Sequence, residues 1–406
     1  MPLSLPAPGS KSMTQRALVI AALADGPTRI ARPLDCDDSR HLVAALRQLG
    51  CAAQWSTEAA EVVPGPLRAG PQRLDCGLAG TAARFLAPFA LLRDGPLVID
   101  GGARLCERPI GPLCDALGAL GVRSRYLGRP GCPPVELVRD QPAQAAVRID
   151  ASVSSQFASG LLLVAPRLPR GLRLELGGAA VSRPYVRMTT RMMEAAGARL
   201  RWLGDGSVQV EPGGYRACGT GREIAIEPDW SAAAFLLAAG WLTGLDVLVP
   251  DLLPPERSLQ GDAAFAAMLR ELGRPGAHEL DLGGTPDLIA PLCAACLFAA
   301  GPSRIAGVAH ARIKESDRIG VLARELGKLG ARVGVHDDGL EIAPLGSAVR
   351  ADVTLEPDGD HRMAMAFGLL TLRLAGLRVA EPECVAKSFP DFWMVLERVR
   401  AATAAT

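Results

Sequence analysis

The stretch DWSAAAFLLAAGWLTGLDVLV, residues 229–249, decides the reading of the fold. It runs from a polar opening at Asp229 and Ser231 through an apolar segment to Gly244, then to the β-prone triplet Val247-Leu248-Val249. Asp and Ser at a helix start satisfy free amide N–H groups, and a glycine just past a helix supplies left-handed backbone at little steric cost. The stretch therefore predicts a buried helix that stops and passes into a strand. The same pattern occurs six times, with runs ending at Gly26, Gly95, Gly171, Gly244, Gly301 and Gly376. The segments that follow the other five are Thr28-Arg29-Ile30, Leu97-Val98-Ile99, Leu172-Arg173-Leu174, Arg304-Ile305 and Leu377-Arg378-Val379. Recurrence at intervals of 57 to 76 residues marks a repeat architecture.

Between these runs lies a second, amphipathic helix type with charge on one face. It is expected at Asp38–Gly50, Ile110–Gly121, Arg187–Gly197, Asp262–Gly273, Ile319–Gly330 and Asp391–Arg400. Each unit thus reads helix, strand, helix, strand, with room for further strands. The six units divide three and three near Pro228, predicting two similar domains, in keeping with 406 residues at roughly 100–200 per domain. Ligands favour the space between domains.

Composition narrows the function. Apolar residues make up 49% of the chain, ample for a globular core, and 44 basic against 43 acidic side chains leave a formal charge of +1. No long-range field of one sign exists, which argues against nucleic acid or an anionic membrane as partner, so anion recognition has to be local. The apolar stretches between Asp150 and Arg167, Asp229 and Asp246, and Asp287 and Arg304 fall short of the ~18 apolar residues of a membrane span. Met1 to Pro8 shows no signal-peptide pattern. Ten cysteines are too sparse for a disulfide scaffold, and Cys293 and Cys296, inside an apolar run, read as core. A reduced, cytoplasmic protein without metal or cofactor is expected. His278 and His336 read as surface residues.

The apolar helices open on Gly9-Ser10-Lys11-Ser12, Gly80-Thr81, Ser154-Ser155-Gln156, Asp229 with Ser231, Pro286-Asp287, and Asp360-His361-Arg362. Capping accounts for the Ser, Thr and Asp residues. It does not account for Lys11 and Arg362, because a cation is disfavoured at the positive end of a helix dipole unless an anion lies between. The chain has four lysines against 40 arginines, and Lys11, Lys314 and Lys387 all stand beside polar, helix-opening segments, whereas Lys328 reads as a solvated side chain. Arg108, Ser182, Tyr185 and the run Lys314-Glu315-Ser316-Asp317-Arg318 open helices of the second type. Cations and hydroxyls so arranged suit a small substrate carrying phosphate and carboxylate. Neither GxxxxGK[ST] nor GxGxxG after a strand is found.

Nine segments carry a family resemblance: PGSKSMTQRAL (8–18), GLAGTAARF (77–85), ERPIGPL (107–113), SVSSQF (152–157), SRPYV (182–186), PDLIAPL (286–292), RIKESDR (312–318), DHRMAMAF (360–367) and KSFPDF (387–392). In this order the chain resembles the 5-enolpyruvylshikimate-3-phosphate synthase family. The resemblance implies an α/β fold of two domains, each of three βαβαββ units arranged like an inside-out barrel, with the active site in the cleft between them. It places the domains at 11–228 and at 1–10 with 229–406, and implies transfer of the enolpyruvyl group of phosphoenolpyruvate to the 5-hydroxyl of shikimate 3-phosphate, by a monomer.

By the same resemblance, Ser12 and Arg16 hold the shikimate carboxylate side. Ser154, Ser155 and Ser182 donate to the shikimate phosphate, with Tyr185 nearby and Gln156 against the ring. Arg108, Arg318, Arg362 and Lys387 bind phosphoenolpyruvate beside the Gly80 backbone, His310 and Lys314 belong to the substrate-binding set, and Lys11 lies between both substrates. Asp287 is the expected base toward the hydroxyl, with Glu315 and Lys11 as proton-transfer candidates. Three positions depart from the family pattern: Leu78 stands in place of the usual Asn, Phe85 in place of Pro or Leu, and His310 in place of Asn. The competing readings are the enolpyruvyl transferase acting on UDP-N-acetylglucosamine, which needs a Cys where Ala103 stands, and a non-catalytic paralogue that binds phosphorylated metabolites.

Overall fold

The computed structural model describes residues 2–56, 58–141, 144–178, 182–217, 223–346 and 352–405. Contacts divide the chain into two units, Gly9–Ile226 and Met1–Pro8 with Glu227–Thr406.

In the Gly9–Ile226 unit the repeat takes a definite form. Strands Gln72–Asp75 and Leu97–Asp100 flank the helix Gly80–Leu86 and pair in parallel, Leu74 opposite Ile99. After the helix Gly111–Ala119, the hairpin Val122–Tyr126 and Val135–Arg139 returns so that its second strand lies antiparallel to Leu97–Asp100. The sheet order is therefore first, second, fourth, third. Strands Ala146–Asp150, Leu172–Gly177, Leu200–Leu203 and Ser207–Val210 repeat this order around the helices Ser155–Val164 and Arg183–Ala195. The remaining sheet takes its opening strand from far along the chain, since Ile224–Ala225 pairs in parallel with Thr28–Ala31.

The second unit holds one complete repeat, with strands His278–Asp281, Ser303–Ala306, Val333–His336 and Gly339–Ile342 in the same order. Two repeats are shortened. Leu3–Ser4 pairs with Val247–Leu248 and Thr354–Leu355 with Arg378–Val379, each a two-stranded parallel sheet without a hairpin among the described residues. Among the described residues no sheet closes into a barrel.

Both helix types appear in all six repeats. Lys11–Ala22, Gly80–Leu86, Ser155–Val164, Trp230–Thr243, Ile289–Cys296 and His361–Leu370 are buried on nearly every side, as expected of helices that are apolar all round. Each fully buried Leu, Ile or Phe on them contributes about 1.5–3 kcal/mol. Four of the six stop glycines have positive φ, including Gly244 at +74°. Gly26 and Gly301 do not; at Gly301 a side chain is excluded because the Gly276 carbonyl fills its place. In the larger unit, residues at or just past the C-terminal ends of the three buried helices, Leu23, Leu92 and Arg167, line one cavity of about 550 Å³. Their N-terminal ends accordingly share the other side.

Cys293 and Cys296 are buried free thiols, and burial lifts Cys296 to about 12. Lys328 is half-exposed and paired with Glu325 at 2.6 Å. His278 corrects the expectation: it is buried, because it shares with Leu280 the inward face of a strand that alternates buried and exposed residues. His336 is exposed. Among the described residues no helix is long and apolar enough to cross a membrane.

Candidate active site

The larger unit gathers its polar groups where the buried helices begin. Lys11 is the first residue of its helix, and its Nζ lies 3.2 Å from Oδ2 of the buried Asp38. A cation at this position is thus balanced by a carboxylate of the protein itself. Arg16, one turn on, is buried. It donates from Nη1 to the Ser12 carbonyl at 2.8 Å, from Nε to Thr189 Oγ1 at 2.7 Å, and from Nη2 to Ser159 Oγ at 3.2 Å and the Tyr185 carbonyl at 3.3 Å. Its guanidinium also stacks over the Phe85 ring, 5.2 Å from the centroid. Burial lowers its pKa to about 10, which leaves it charged at neutral pH. Arg16 therefore ties together the helix starts carrying Ser12 and Tyr185.

Gly80 begins its helix against two guanidinium groups. A Cβ at this position would lie 2.6 Å from Arg108 Nη1 and closer still to Arg84 Nη1. Arg84 donates to the Gly80 carbonyl at 2.9 Å and to the Pro109 carbonyl at 2.8 Å, which anchors the turn beside the buried Arg108. Gln156 Nε2 donates to Thr81 Oγ1 at 3.0 Å and joins the Ser154-Ser155-Gln156 turn to the Gly80 turn. The Ser154 hydroxyl caps its helix by accepting from Gln156 N at 3.2 Å, and Ser155 is buried. Ser182 precedes Arg183–Ala195 in the left-handed region, φ +57°, a conformation that costs a non-glycine residue about 1 kcal/mol.

The second unit centres on Arg318, whose side chain is 1% exposed. Three carboxylates converge on it. Nη1 donates to Asp287 Oδ1 at 2.8 Å, Nη2 to Glu315 Oε2 at 3.0 Å, and Nε to Asp360 Oδ2 at 2.8 Å. Asp360 also accepts from Ser316 Oγ at 3.2 Å and caps the next helix through Arg362 N at 3.0 Å. Arg362 Nη2 reaches Asp287 Oδ2 at 3.2 Å, and Lys387 Nζ lies 3.6 Å from Glu315 Oε1. As at Lys11, the anion beside the cationic helix start is a carboxylate of the chain.

Electrostatics sorts these groups. Burial pushes the Asp287 carboxyl up, yet Arg362, Lys314 and Arg318 together hold it well below the usual carboxylate range. Asp287 is an anion at neutral pH. Burial works against the charge on Arg318 as well, but Asp360, Glu315 and Asp287 outweigh it and raise its pKa. His310 is buried, with Lys314 and Arg318 near it, and burial followed by those cations lowers it to about 4. It is a neutral imidazole whose Nε2 has no hydrogen-bond partner among the described residues.

Within each unit the expected residues fall into connected sets. Gly80, Arg108, Ser154, Ser155 and Gln156 adjoin one another, as do Ser12, Arg16 and Tyr185. In the other unit Asp287, Glu315, Arg318, Arg362 and Lys387 form one ionic network, with Lys314 and His310 in its field. Asp38, Thr81 and Asp360 are partners that sequence reasoning missed. Asp360 was visible as a helix-opening acid, but nothing local marks it as an acceptor for Arg318, 42 positions away. Of the three departures, Phe85 is buried beneath Arg16, Leu78 is 45% exposed beside Gly102, and His310 is buried in the field of Lys314, Asp287 and Arg318.

The family described as EPSP synthase (3-phosphoshikimate 1-carboxyvinyltransferase) matches residues 4–396. A 3-phosphoshikimate 1-carboxyvinyltransferase of Methanoculleus marisnigri is 38% identical, with 97% of this chain and 96% of the relative covered. The protein of that name from Bordetella avium is also 38% identical, covering 96% and 94%. Among solved structures, EPSP synthase from Acinetobacter baumannii superposes with a TM-score of 0.77 at 24% identity, over 98% of this chain and 95% of that one.

Proposed function

The chain belongs to the EPSP synthase family, and we propose that the polar sets described above serve that family's reaction. The reaction transfers the enolpyruvyl group of phosphoenolpyruvate to the 5-hydroxyl of shikimate 3-phosphate and releases phosphate. In this reading Ser154, Ser155 and Ser182 take the shikimate phosphate with Tyr185 nearby, Gln156 lies against the ring, and Ser12 takes the carboxylate side with Arg16 fixing the turn. Arg108, beside the Gly80 backbone, and Arg318, Arg362 and Lys387 are the phosphoenolpyruvate-binding cations of this reading, and Lys11 serves both substrates. His310 and Lys314 complete the set.

The observation that carries the reading is Asp287, an anion gripped by Arg318 at 2.8 Å and Arg362 at 3.2 Å. At rest it is too weak a base to remove a hydroxyl proton. Substrates bring phosphate and carboxylate charges to the same cations, and every cation so engaged releases its hold on Asp287. The carboxylate gains basicity when both substrates are present. In this reading Asp287 takes the proton of the 5-hydroxyl, with Lys11 and Glu315, each within an ion pair, as the candidates for the proton transfers at the methylene carbon. Oxygen attack on the phosphate-bearing carbon of phosphoenolpyruvate, as its methylene is protonated, gives a tetrahedral intermediate; loss of phosphate together with one proton of the new methyl group restores the double bond as the product's enol ether.

A phosphate-release assay tests this directly. Release is expected only when shikimate 3-phosphate and phosphoenolpyruvate are both present, whereas tight binding of both without release would instead support a non-catalytic binding protein. The family match leaves no ground for the UDP-N-acetylglucosamine reading. We further take the protein to be a cytoplasmic monomer working without metal or cofactor. Light scattering at the 42.5 kDa of one chain and full activity after chelation check the last two points.

A further inference from the structure

We propose that Arg312 is a positioning residue for the reaction: with the hairpin tip at 336–338 it holds in place the segment that presents His310, Lys314 and Glu315. The proposal rests on the reading that these groups serve the substrates.

Hairpins in this chain have a recurrent task. In each repeat that has one among the described residues, a backbone carbonyl in the hairpin's connection accepts from the chain at or beyond the end of the second strand. Arg32 N donates to the Glu58 carbonyl at 2.8 Å, Leu176 N to that of Gly206 at 2.8 Å, and Val308 N to that of Asp338 at 2.9 Å. In the remaining repeat Ile110 N and Gly111 N donate to the Gly131 carbonyl at 2.8 and 3.0 Å, directly after Arg108 and Pro109. Among the described residues of the second unit, only the repeat spanning 278–342 has a hairpin, and it is the repeat that carries Lys314 and Glu315.

There the connection is tied more heavily. The Asp338 side chain accepts from Arg304 Nη2 at 2.6 Å and from Gly307 N at 3.2 Å. Arg312, on the 3-10 turn Ala309–Ile313, donates from Nη2 to the His336 carbonyl at 2.8 Å and from Nε to the Asp337 carbonyl at 3.5 Å. Its Nη1 lies 3.3 Å from Oδ2 of Asp317, whose Oδ1 caps Arg318–Lys328 through Gly320 N at 3.0 Å. Arg312 and Asp317 thus close over Ile313, Lys314, Glu315 and Ser316. Ser316 in turn donates to Asp360, and Glu315 accepts from Arg318. A guanidinium suits this work because its rigid fork reaches carbonyls and a carboxylate at once.

The side chains of Arg312 and Asp317 are 32% and 47% exposed, so their ion pair adds little to the stability of the fold. A loop that carries reacting groups is more sensitive, since a misplacement of about 1 Å costs up to about a hundredfold in rate. Removing Arg312 therefore leaves the fold and loosens the loop.

The test compares wild type with Arg312→Gln and Arg312→Lys in steady-state kinetics and in amide hydrogen exchange of the substrate-free protein. In Arg312→Gln, kcat is expected to fall about tenfold. KM for phosphoenolpyruvate should change by less than about threefold, because Arg318 and Arg362 keep their own bonds to Asp287. Exchange is expected to quicken across 308–316 and to stay unchanged elsewhere. Arg312→Lys keeps the charge beside Asp317 and a donor for one carbonyl, and should return kcat to within about threefold of wild type. A kcat for Arg312→Gln within about twofold of wild type overturns the proposal, as does a loss of kcat without quicker exchange at 308–316. Faster exchange spread over the whole unit also overturns it and leaves Arg312 a structural residue. If Arg312→Gln does not fold, Asp317→Asn serves, because it keeps an acceptor for Gly320 N but loses the charge facing Arg312. A local rise in exchange with a kcat loss of about threefold is then expected, and an unchanged kcat refutes the assignment. A wild type that releases no phosphate would sink the functional reading but not the exchange result, so the two failures are distinguishable.

Discussion

Replacing Asp360 with alanine removes the group that joins most parts of the ionic network. Its buried carboxylate accepts from Arg318 Nε at 2.8 Å and Nη2 at 3.4 Å, from Ser316 Oγ at 3.2 Å and from Arg362 N at 3.0 Å. Breaking a buried ion pair by deleting one partner costs about 3–5 kcal/mol. The low end applies, because Asp287 and Glu315 still neutralise Arg318. Loss of the helix cap adds about 1 kcal/mol. The expected destabilisation is about 4 kcal/mol, and the thermal midpoint falls by roughly 10 °C for a unit of this size. Asp360→Asn keeps an acceptor for the cap and should cost about half as much. Scanning calorimetry and urea unfolding measure both. An alanine variant within about 1 kcal/mol of wild type, or an asparagine variant as damaging as alanine, would refute the idea that Asp360 anchors Arg318.

Gly80→Ala places a Cβ 2.6 Å from Arg108 Nη1, so the guanidinium has to move, and KM for phosphoenolpyruvate should rise about tenfold with a smaller change in kcat. Steady-state kinetics checks it; an unchanged KM means Arg108 does not serve that substrate. Asp38→Asn removes the carboxylate 3.2 Å from Lys11, and the loosened ammonium should lower kcat by about tenfold, with a loss of about 2 kcal/mol in stability because the pair is largely buried. His310 supplies a pH test. Its folded pKa of about 4 lies below the ordinary 6.5, so the unfolded chain takes up the proton first as pH falls. Its contribution to stability is fully present above about 6.5 and is lost down to about 4. His310→Gln should flatten that acid slope, by up to about 3 kcal/mol in urea unfolding across the window.

Much of this was legible because it is local. An apolar run with a polar opening and a glycine stop reports its own helix and the strand behind it, and six copies make the repeat unmistakable. Lys11 and Arg362 stand out for the same reason: a cation at the wrong end of a helix dipole is a local anomaly. Pairings distant in sequence were not legible. Nothing near Ile224–Ala225 tells that it completes a sheet with Thr28–Ala31, nor that Leu3–Ser4 joins Val247–Leu248. Among the described residues two repeats have no hairpin, and ordinary loop composition gives no sign of it. His278 was misread because a histidine in a short alternating strand looks alike whichever face it occupies. The carboxylates that answer the cations, Asp38 and Asp360, carry no signal of their own; folding alone selects them from 43 acidic residues.

Asp287→Asn is the most direct test of the central claim, that an ionised carboxylate held by Arg318 and Arg362 gains basicity from substrate charge and takes the hydroxyl proton. Calorimetric binding of both substrates should stay within a few-fold of wild type, about 1 kcal/mol, while single-turnover phosphate release falls by about 10²–10⁴. Near-normal release from the variant would contradict it.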